Sequence, residues 1–174
     1  MVLGLERGKV RLAVYDPKWT ELFMSESARL YRLLGPAVKQ IEHIGSTAIP
    51  GMESKPIIDM MASLGDMSGS AALIPVLEAN GYEYRPDSSL PERIFFANGP
   101  RHSRTHHLSL TVEDSRFWND HLLFRDYLRS NPGTMTAYRA IKQDLAKRFA
   151  EDRPSYTRGK EQFVQEILKA ARSK

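Results

Sequence analysis

The order of hydrophobic periodicities along this chain constrains its fold more than any other feature. Stretches with the two-residue alternation of β-strands end near Val112, and beyond Asp114 the apolar residues keep only helical spacing. A chain that ends its strands early and continues in helices typically packs those helices on a mixed sheet. We therefore predict an α+β fold, with a mixed sheet flanked by helices and a C-terminal helical part.

Turn residues divide the chain into its predicted elements, because proline, glycine and asparagine interrupt each periodic stretch. The predicted strands are 10–15, 38–44, 57–62, the hairpin pair 82–85 and 93–97, and 105–112. The predicted helices are 17–34, 68–80, 116–129, 132–148 and 156–172. No repeat or linker interrupts this order. We expect one domain over residues 1–174, sheet-rich at about 10–112 and helical at about 114–172.

Composition excludes several classes of protein. A chain of 174 residues can bury a core without covalent staples, and the absence of cysteine excludes disulfides, thiolate metal sites and cysteine nucleophiles. The N-terminal residues show no signal-peptide pattern, and no apolar run is long enough for a membrane span, so we expect a cytoplasmic protein without a membrane partner. The net charge of +4 is compatible with an anionic small molecule or a nucleotide, and a nucleic acid is not favoured.

The stretch 41–62 holds the residues best suited to chemistry. A predicted strand runs into Gly45 and Ser46, and the next predicted strand carries Asp59. Glycine lets a phosphate approach the backbone closely, and the hydroxyls of Ser46 and Thr47 are hydrogen-bond donors. A carboxylate inside an apolar strand requires a metal, a cation or a solvent-filled cleft. The stretch therefore predicts an anion site beside Asp59.

A purely structural interpretation of the same residues stays open. Ser46 can cap a helical turn at the end of its strand. Asp59 can form an ion pair with Lys55 or Arg104 that has no role in chemistry.

These residues resemble a known signature. Ile44, Gly45 and Ser46, a gap and then Asp59 are similar to the pattern of the DNA polymerase beta-type nucleotidyltransferase superfamily. Over residues 10–171 the closer resemblance is to the GrpB-like family of that superfamily. The matching residues are Tyr15-Asp16-Pro17 with Trp19, Glu42-His43-Ile44-Gly45-Ser46-Thr47, Lys55-Pro56-Ile57-Ile58-Asp59, His107-Leu108, Phe124-Arg125-Asp126-Tyr127-Leu128-Arg129, Tyr138 with Lys142, and Tyr156 with Lys160.

The resemblance implies a nucleotidyltransferase-like fold, and this chain departs from the pattern of the active members. In those members two or three carboxylates hold Mg²⁺ against a nucleoside triphosphate. Met61 stands where the second acid belongs, and a thioether is a poor ligand for Mg²⁺. On the predicted strand 105–112, GrpB-like sequences commonly read His-Leu-His, and Ser109 replaces the second histidine. A standard three-carboxylate site is therefore not expected.

Within the resemblance, the predicted catalytic residues are Asp59, His43 and His107, and the predicted metal ligands are Asp59 and His107. The predicted phosphate- and nucleotide-binding residues are Gly45, Ser46, Thr47, Lys55, Tyr138, Lys142, Tyr156 and Lys160. Each Tyr–Lys pair is spaced four residues apart and so shares one helix face. The alternative for each pair is a lysine lying along a helix surface.

The histidines allow a second interpretation. His43 shares a strand face with Gly45, and the adjacent His106 and His107 point to opposite faces, so at most one of that pair serves a site. A metal or general-base site would combine His43, Asp59 and His107. The alternative is a polar strand edge with imidazoles satisfied in the core. His121, within a predicted helix, is assigned to packing or to the surface.

The function expected from this resemblance is metal-dependent transfer of a nucleoside monophosphate from a nucleoside triphosphate to a small-molecule acceptor. Mg²⁺ or Mn²⁺ would be the cofactor. The alternative is a nucleotide-binding module of the same fold without turnover, which Met61 and Ser109 favour. A third reading is hydrolysis at a transition-metal site built from histidine and aspartate. The sequence leaves the oligomeric state open.

Overall fold

The fold is built on one five-stranded sheet, described here from a computed structural model that covers residues 3–173. The strands are β1 (Val38–Ile44), β2 (Ile58–Leu64), β3 (Tyr82–Tyr84), β4 (Arg93–Asn98) and β5 (His106–Val112). Their order across the sheet is β1-β2-β5-β4-β3. The β2–β5 pair is parallel and the other three pairs are antiparallel, which confirms the predicted mixed sheet.

The position of β2 inside the sheet explains why its sequence is almost continuously apolar. The strand lies between β1 and β5, and every residue from Ile58 to Leu64 is buried except Asp59, which is partly exposed. The register places Asp59 beside Ile44 of β1 on one side and beside His107 of β5 on the other. The one acidic residue of β2 therefore lies next to two residues that the sequence analysis singled out.

Within residues 3–173, six α-helices accompany the sheet, and four of them follow it in the sequence. Helix α1 (Lys18–Leu34) precedes β1, and its buried Trp19 and Leu30 join the main core with residues of all five strands. The remaining helices are α2 (Leu73–Glu78), α3 (Arg116–Ser130), α4 (Pro132–Arg148), α5 (Arg153–Arg158) and α6 (Glu161–Arg172). The predicted α+β fold with a C-terminal helical part is confirmed.

Helix ends follow the local chemistry of the sequence. The side chain of Ser115 accepts a hydrogen bond from the Trp118 N–H and so caps α3. The carboxylate of Asp16 accepts from the Lys18 N–H at the start of α1 at 3.0 Å. Among residues 3–173, no helix is both long and apolar enough to cross a membrane.

Three predicted elements differ in the structure. The stretch 10–15 is not a strand, because it has no neighbouring strand and only Ala13 forms an isolated bridge, with Ser54. The predicted helix 68–80 is α-helical only over α2, preceded by a short 3₁₀ turn at Ser70–Ala72. The predicted helix 156–172 is divided into α5 and α6 at Gly159, where a Cβ atom would lie 2.5 Å from Cδ2 of Leu145.

Candidate functional site

A glycine brings the backbone between β1 and the following turn against Asp59. Gly45 has φ +69° and ψ −172°, a conformation that almost only glycine adopts. A Cβ atom on Gly45 would lie 2.7 Å from Oδ2 of Asp59. The short 3₁₀ helix Ser46–Ala48 follows immediately. The structure thus brings the small-residue turn and the acid of β2 together, at the mouth of a cleft.

The cleft has a volume of about 340 Å³. It is lined by Asp59 of β2, by the turn that follows β1, by helices α3, α4 and α6, and by Tyr156 of α5. All of the predicted phosphate- and nucleotide-binding residues line it together with Asp59. Those residues are Gly45, Ser46, Thr47, Lys55, Tyr138, Lys142, Tyr156 and Lys160. We call this cavity the lysine cleft, after Lys55, Lys142 and Lys160.

The three lysines are held in a poorly solvated environment. Burial lowers the pKa of Lys142 to about 7, assisted by the neighbouring positive charge of Lys160. Burial likewise lowers the pKa of Lys160 to about 8, against the attraction of Asp59. The pKa of Lys55 lies well below its ordinary value for the same reason, with Arg153 and Lys160 adding to the effect. An anion entering the cleft would reverse these shifts.

Two tyrosine rings position the ammonium groups. Two ammonium groups lie near the Tyr156 ring: Nζ of Lys160 is 4.4 Å and Nζ of Lys55 is 5.7 Å from its centroid. Nζ of Lys142 lies 5.4 Å from the Tyr138 ring and donates to the backbone carbonyl of Glu53. Both Tyr–Lys pairs therefore form cation–π contacts at the wall of the cleft.

Asp59 is ionised and is oriented by a histidine. Nδ1 of His107 lies 2.8 Å from Oδ1 of Asp59. Burial by itself would raise the pKa of Asp59, but the His107 hydrogen bond and the charges of Lys55 and Arg153 hold that pKa below its ordinary value. Burial lowers the pKa of His107, so a neutral imidazole donates its Nδ1 proton to the carboxylate. The Asp59 side chain remains 35% exposed in the cleft.

His43 is placed elsewhere. Its ring stacks on Phe23 of α1, with centroids 4.8 Å apart, and its Nε2 lies 3.0 Å from the Thr47 hydroxyl. Thr47 in turn donates to the carbonyl of Ile57. His43 is buried and does not line the lysine cleft, so its contact with the site runs through Thr47.

The donor set does not match a two-metal site. Met61 is fully buried and packs against Ile44 and Trp118, and Ser109 stands beside it on β5. One oxygen of Asp59 is already engaged by His107, and Asp120, the other acid of the cleft, pairs with Arg116 and Arg172. Among residues 3–173, no group of three or more histidines and acids is arranged to hold a metal ion. The residues present therefore do not fit a pair of carboxylate-bound Mg²⁺ ions.

Within the described residues, Asp59 forms neither of the ion pairs offered as its structural alternative, with Lys55 or with Arg104. Arg104 pairs with Glu83 and not with Asp59. Lys55 lies close enough to influence the pKa of Asp59, yet no salt bridge joins the two within the described residues.

Part of the cleft was not anticipated. His121, assigned to packing or to the surface, lines the cleft and hydrogen-bonds through Nδ1 to the carbonyl of Phe117 at 2.8 Å. Phe124, three residues further along α3, also lines the cleft. Residues three apart share a helix face, so this spacing could have predicted that His121 and Phe124 face the same cavity. The other unforeseen lining residues are Ser54, Asp120, Val164, Gln165 and Leu168.

Comparison with known sequences points to one family. A model of the family described as "GrpB protein" matches residues 9–170. The chain is 34% identical over 171 residues to the glutamate-rich protein GrpB of Alkalihalophilus pseudofirmus, covering 96% of this chain and 98% of that one. It is 35% identical over 156 residues to YqkA of Bacillus subtilis. That alignment covers 90% of this chain but only 45% of YqkA, so the chain spans less than half the length of that relative.

Comparison with solved structures gives the same picture of the fold. The conserved protein GrpB from Enterococcus faecalis superimposes with a TM-score of 0.85 at 34% identity, covering 92% of this chain and 96% of that one. A cytoplasmic RNA terminal U-transferase superimposes with a TM-score of 0.53 at 14% identity, covering 79% of this chain and 42% of that one. The second likeness shows a shared nucleotidyltransferase-like fold.

Proposed function

This chain belongs to the GrpB family, and on that premise we propose that its lysine cleft binds a nucleotide. The polyphosphate lies against Lys55, Lys142 and Lys160. The observation that carries the proposal is the charge of this cavity: three lysines face it, whereas Asp59 is the one carboxylate among its described lining residues that forms no salt bridge with an arginine. Partly desolvated ammonium groups without enough counter-charge favour a multiply charged anion.

The other lining residues suit the rest of a nucleotide. Phe124, Val164 and Leu168 give the cleft an apolar side, and the ring of Phe124 meets that of Tyr138 edge to face at 5.4 Å. Aromatic and aliphatic walls accept a base or sugar, while a few polar groups fix its orientation. The volume of about 340 Å³ lies within the range of small-molecule sites.

Lysines in place of metal ions would neutralise the phosphates. Met61 is buried in the core, and among the described lining residues only Asp59 is a carboxylate free of an arginine, so the proposal assigns the counter-charge of the phosphates to the lysines and not to a carboxylate-bound divalent cation. This distinguishes the proposal from the two-metal arrangement of the active superfamily members.

Transfer of a nucleoside monophosphate to a small-molecule acceptor is the second candidate. The observation that favours it is Asp59, which stays ionised beside the lysines and is oriented by His107. Mg²⁺ or Mn²⁺ remains a prediction that belongs to this candidate alone.

Calorimetric titration with ATP, GTP, CTP and UTP, in EDTA and then with Mg²⁺ or Mn²⁺, tests both candidates. We expect saturable binding of at least one nucleotide in EDTA. Lys160→Gln should weaken it about tenfold or more, since a charged hydrogen bond contributes about 1.5–3 kcal/mol. Lys169→Gln, at an exposed lysine of α6, the helix that begins directly after Lys160, is the matched control and should bind like the wild type. Absence of binding under every condition would contradict the proposal.

Pyrophosphate release, measured with the same nucleotides and a pool of small acceptors, separates binding from transfer. Metal-dependent release that Asp59→Ala abolishes would establish the second candidate. Release at the same rate in Asp59→Ala would remove Asp59 from the chemistry. Binding without release supports the nucleotide-binding module.

A further inference from the structure

A second cleft begins at the other partner of the Asp59–His107 hydrogen bond. His107 lines a cavity of about 600 Å³ that shares no lining residue with the lysine cleft. We call it the arginine cleft. Its arginines are Arg7, Arg85, Arg93, Arg104, Arg153 and Arg158.

These arginines come from distant parts of the chain. Arg7 lies in the N-terminal segment, Arg93 begins β4, and Arg153 begins α5. The N–H of Arg153 donates to the carbonyl of Gly8, which joins α5 to the N-terminal segment. The fold therefore concentrates the charges around one cavity, whereas an ordinary solvated helix face carries charge along a single element.

Some of the arginines are neutralised within the protein. Arg104 pairs with Glu83, and Arg85 pairs with Asp87 at 2.5 Å. Arg7 approaches the same Asp87 at 3.7 Å. Asp87 is the one acid among the described residues that line the cleft, and these two pairs neutralise its negative charge.

Other arginines have no counter-ion. Within residues 3–173, the guanidinium of Arg153 has no hydrogen bond or salt bridge, although it is partly buried. Nη2 of Arg93 donates to the carbonyl of Ser88, but its Nε is buried without a partner, and the guanidinium lies over the rings of Phe95 and Phe117. In the part of the chain that the structure describes, the guanidinium of Arg158 donates only to the hydroxyl of Ser155. Cations this poorly compensated in a concave site favour an anion.

We propose that the arginine cleft binds a compact small molecule that carries a phosphate group, distinct from the nucleotide of the lysine cleft. Guanidinium groups match phosphate oxygens with two parallel hydrogen bonds, which an ammonium cannot do. The arginines surround one cavity of ligand size and do not extend along a surface, and this favours a compact anion over a nucleic-acid strand. Arg153 and Arg93 are the principal anchors.

The site does not depend on nucleotide binding, so the two proposals can fail separately. Nevertheless the clefts are joined by the Asp59–His107 hydrogen bond, and a small hollow of about 210 Å³ is lined by both of these residues and by Arg93.

A titration of the ¹⁵N-labelled chain with inorganic pyrophosphate, followed by amide chemical shifts, tests the site. Gly8, Ala97 and Thr157 line the arginine cleft, whereas Gly45 and Gln165 report on the lysine cleft. We expect saturable shifts of the first group. Arg153→Gln should raise the dissociation constant at that group about tenfold or more, and the exposed Arg158→Gln should raise it in the same direction. Arg32→Gln, an exposed arginine of α1, is the control and should change nothing.

Three results would overturn the proposal. Shifts confined to Gly45 and Gln165 would assign pyrophosphate to the lysine cleft alone. Unchanged affinity in both Arg153→Gln and Arg158→Gln would remove the arginines from binding. A single-stranded oligonucleotide that binds more tightly than pyrophosphate, with a steep salt dependence and shifts beyond the cleft, would identify a polymer-binding surface instead.

Discussion

Gly45 and Asp59 are so close across the ends of β1 and β2 that no side chain fits at residue 45. A Cβ atom there would lie 2.7 Å from Oδ2 of Asp59 and 3.1 Å from its Cβ. This contact, together with φ of +69°, explains why the turn before Ser46 needs glycine. It also fixes the distance between the turn and the carboxylate, so changes at residue 45 report directly on the site.

We expect Gly45→Ala to lower the free energy of unfolding by about 3 kcal/mol and to weaken nucleotide binding, since both backbone strain and the clash with Asp59 add to its effect. Gly51→Ala is the matched control. Gly51 also has positive φ, but nothing lies within 4 Å of its added Cβ. We expect a loss of about 1 kcal/mol from strain alone. Urea denaturation and calorimetry measure both effects, and equal losses in the two variants would contradict the interpretation.

Nucleotide binding should weaken as pH rises from 7 to 9. Burial holds the pKa of Lys142 near 7 and that of Lys160 near 8, so the empty cleft loses protons over this interval. A bound polyphosphate raises both pKa values, and the complex therefore holds more protons than the free protein. The dissociation constant should rise by up to about tenfold per pH unit for each proton taken up.

Calorimetry in two buffers of different ionisation enthalpy would measure this proton uptake. Lys142→Gln should reduce it and flatten the pH profile. A dissociation constant that stays constant from pH 7 to pH 9 would show that the lysines do not contact the phosphates.

Asp59→Asn separates the two candidate functions by the sign of its effect. If the lysines alone neutralise the polyphosphate, removing a nearby negative charge should tighten nucleotide binding in EDTA and in Mg²⁺ alike. A variant that loses affinity only when Mg²⁺ is present would show that the carboxylate holds a metal ion with the nucleotide. Asp126→Asn, an exposed acid on α3 that does not line the cleft, is the control.

Most of the lysine cleft could be predicted from sequence because its signals are local. The spacing of four residues placed Tyr138 and Lys142 together on α4, and the resemblance to GrpB-like proteins related both Tyr–Lys pairs to Gly45. The helix face predicted to be shared by Tyr156 and Lys160 is wrong, because α5 ends at Arg158 and Lys160 contacts the Tyr156 ring from the turn before α6. Strand alternation likewise located β1 and β5, and a short apolar run located β2, each to within one or two residues. Local periodicity and a family pattern were sufficient where the partners are fixed by secondary structure.

Contacts between distant segments were not accessible in the same way. Alternation placed His43 on the strand face of Gly45, but the His43 ring packs against Phe23 of α1. No local sequence pattern predicts that stacking. The stretch 10–15 alternates like a strand and yet has no partner strand. The arginine cleft unites segments as far apart as Arg7 and Arg153, so only the folded chain shows it.

Protonation of His43 should lower the free energy of unfolding in mild acid. Burial lowers the pKa of His43 to about 4, with Arg129 and Arg125 lowering it further and Asp59 opposing them. The folded state therefore binds fewer protons than the unfolded state between pH 6.5 and pH 4, and stability is lost as pH falls through this window. The full contribution of His43 is about 3 kcal/mol.

Urea denaturation at pH 7.5, 6 and 5 measures this loss. His43→Phe keeps an aromatic ring against Phe23 and should show a shallower decline, although the other buried histidines still titrate. His102→Gln, at an exposed histidine, is the control and should follow the wild type. A decline in His43→Phe as steep as that of the wild type would remove His43 as a cause.

Substitutions at Met61 test whether this position is a lost metal ligand or a packing position of the core. The superfamily pattern would place an acid here, but the side chain is fully buried with Ile44 and Trp118. Met61→Leu conserves volume and should change stability by less than about 1.5 kcal/mol. Met61→Asp places a carboxylate among apolar groups and should lower the free energy of unfolding by about 3–5 kcal/mol, without creating a Mg²⁺ site. If Met61→Asp instead folded as stably as the wild type and bound Mg²⁺ in a calorimetric titration, residue 61 would reach the cleft, and the lysines would no longer be the sole means of neutralising a bound nucleotide.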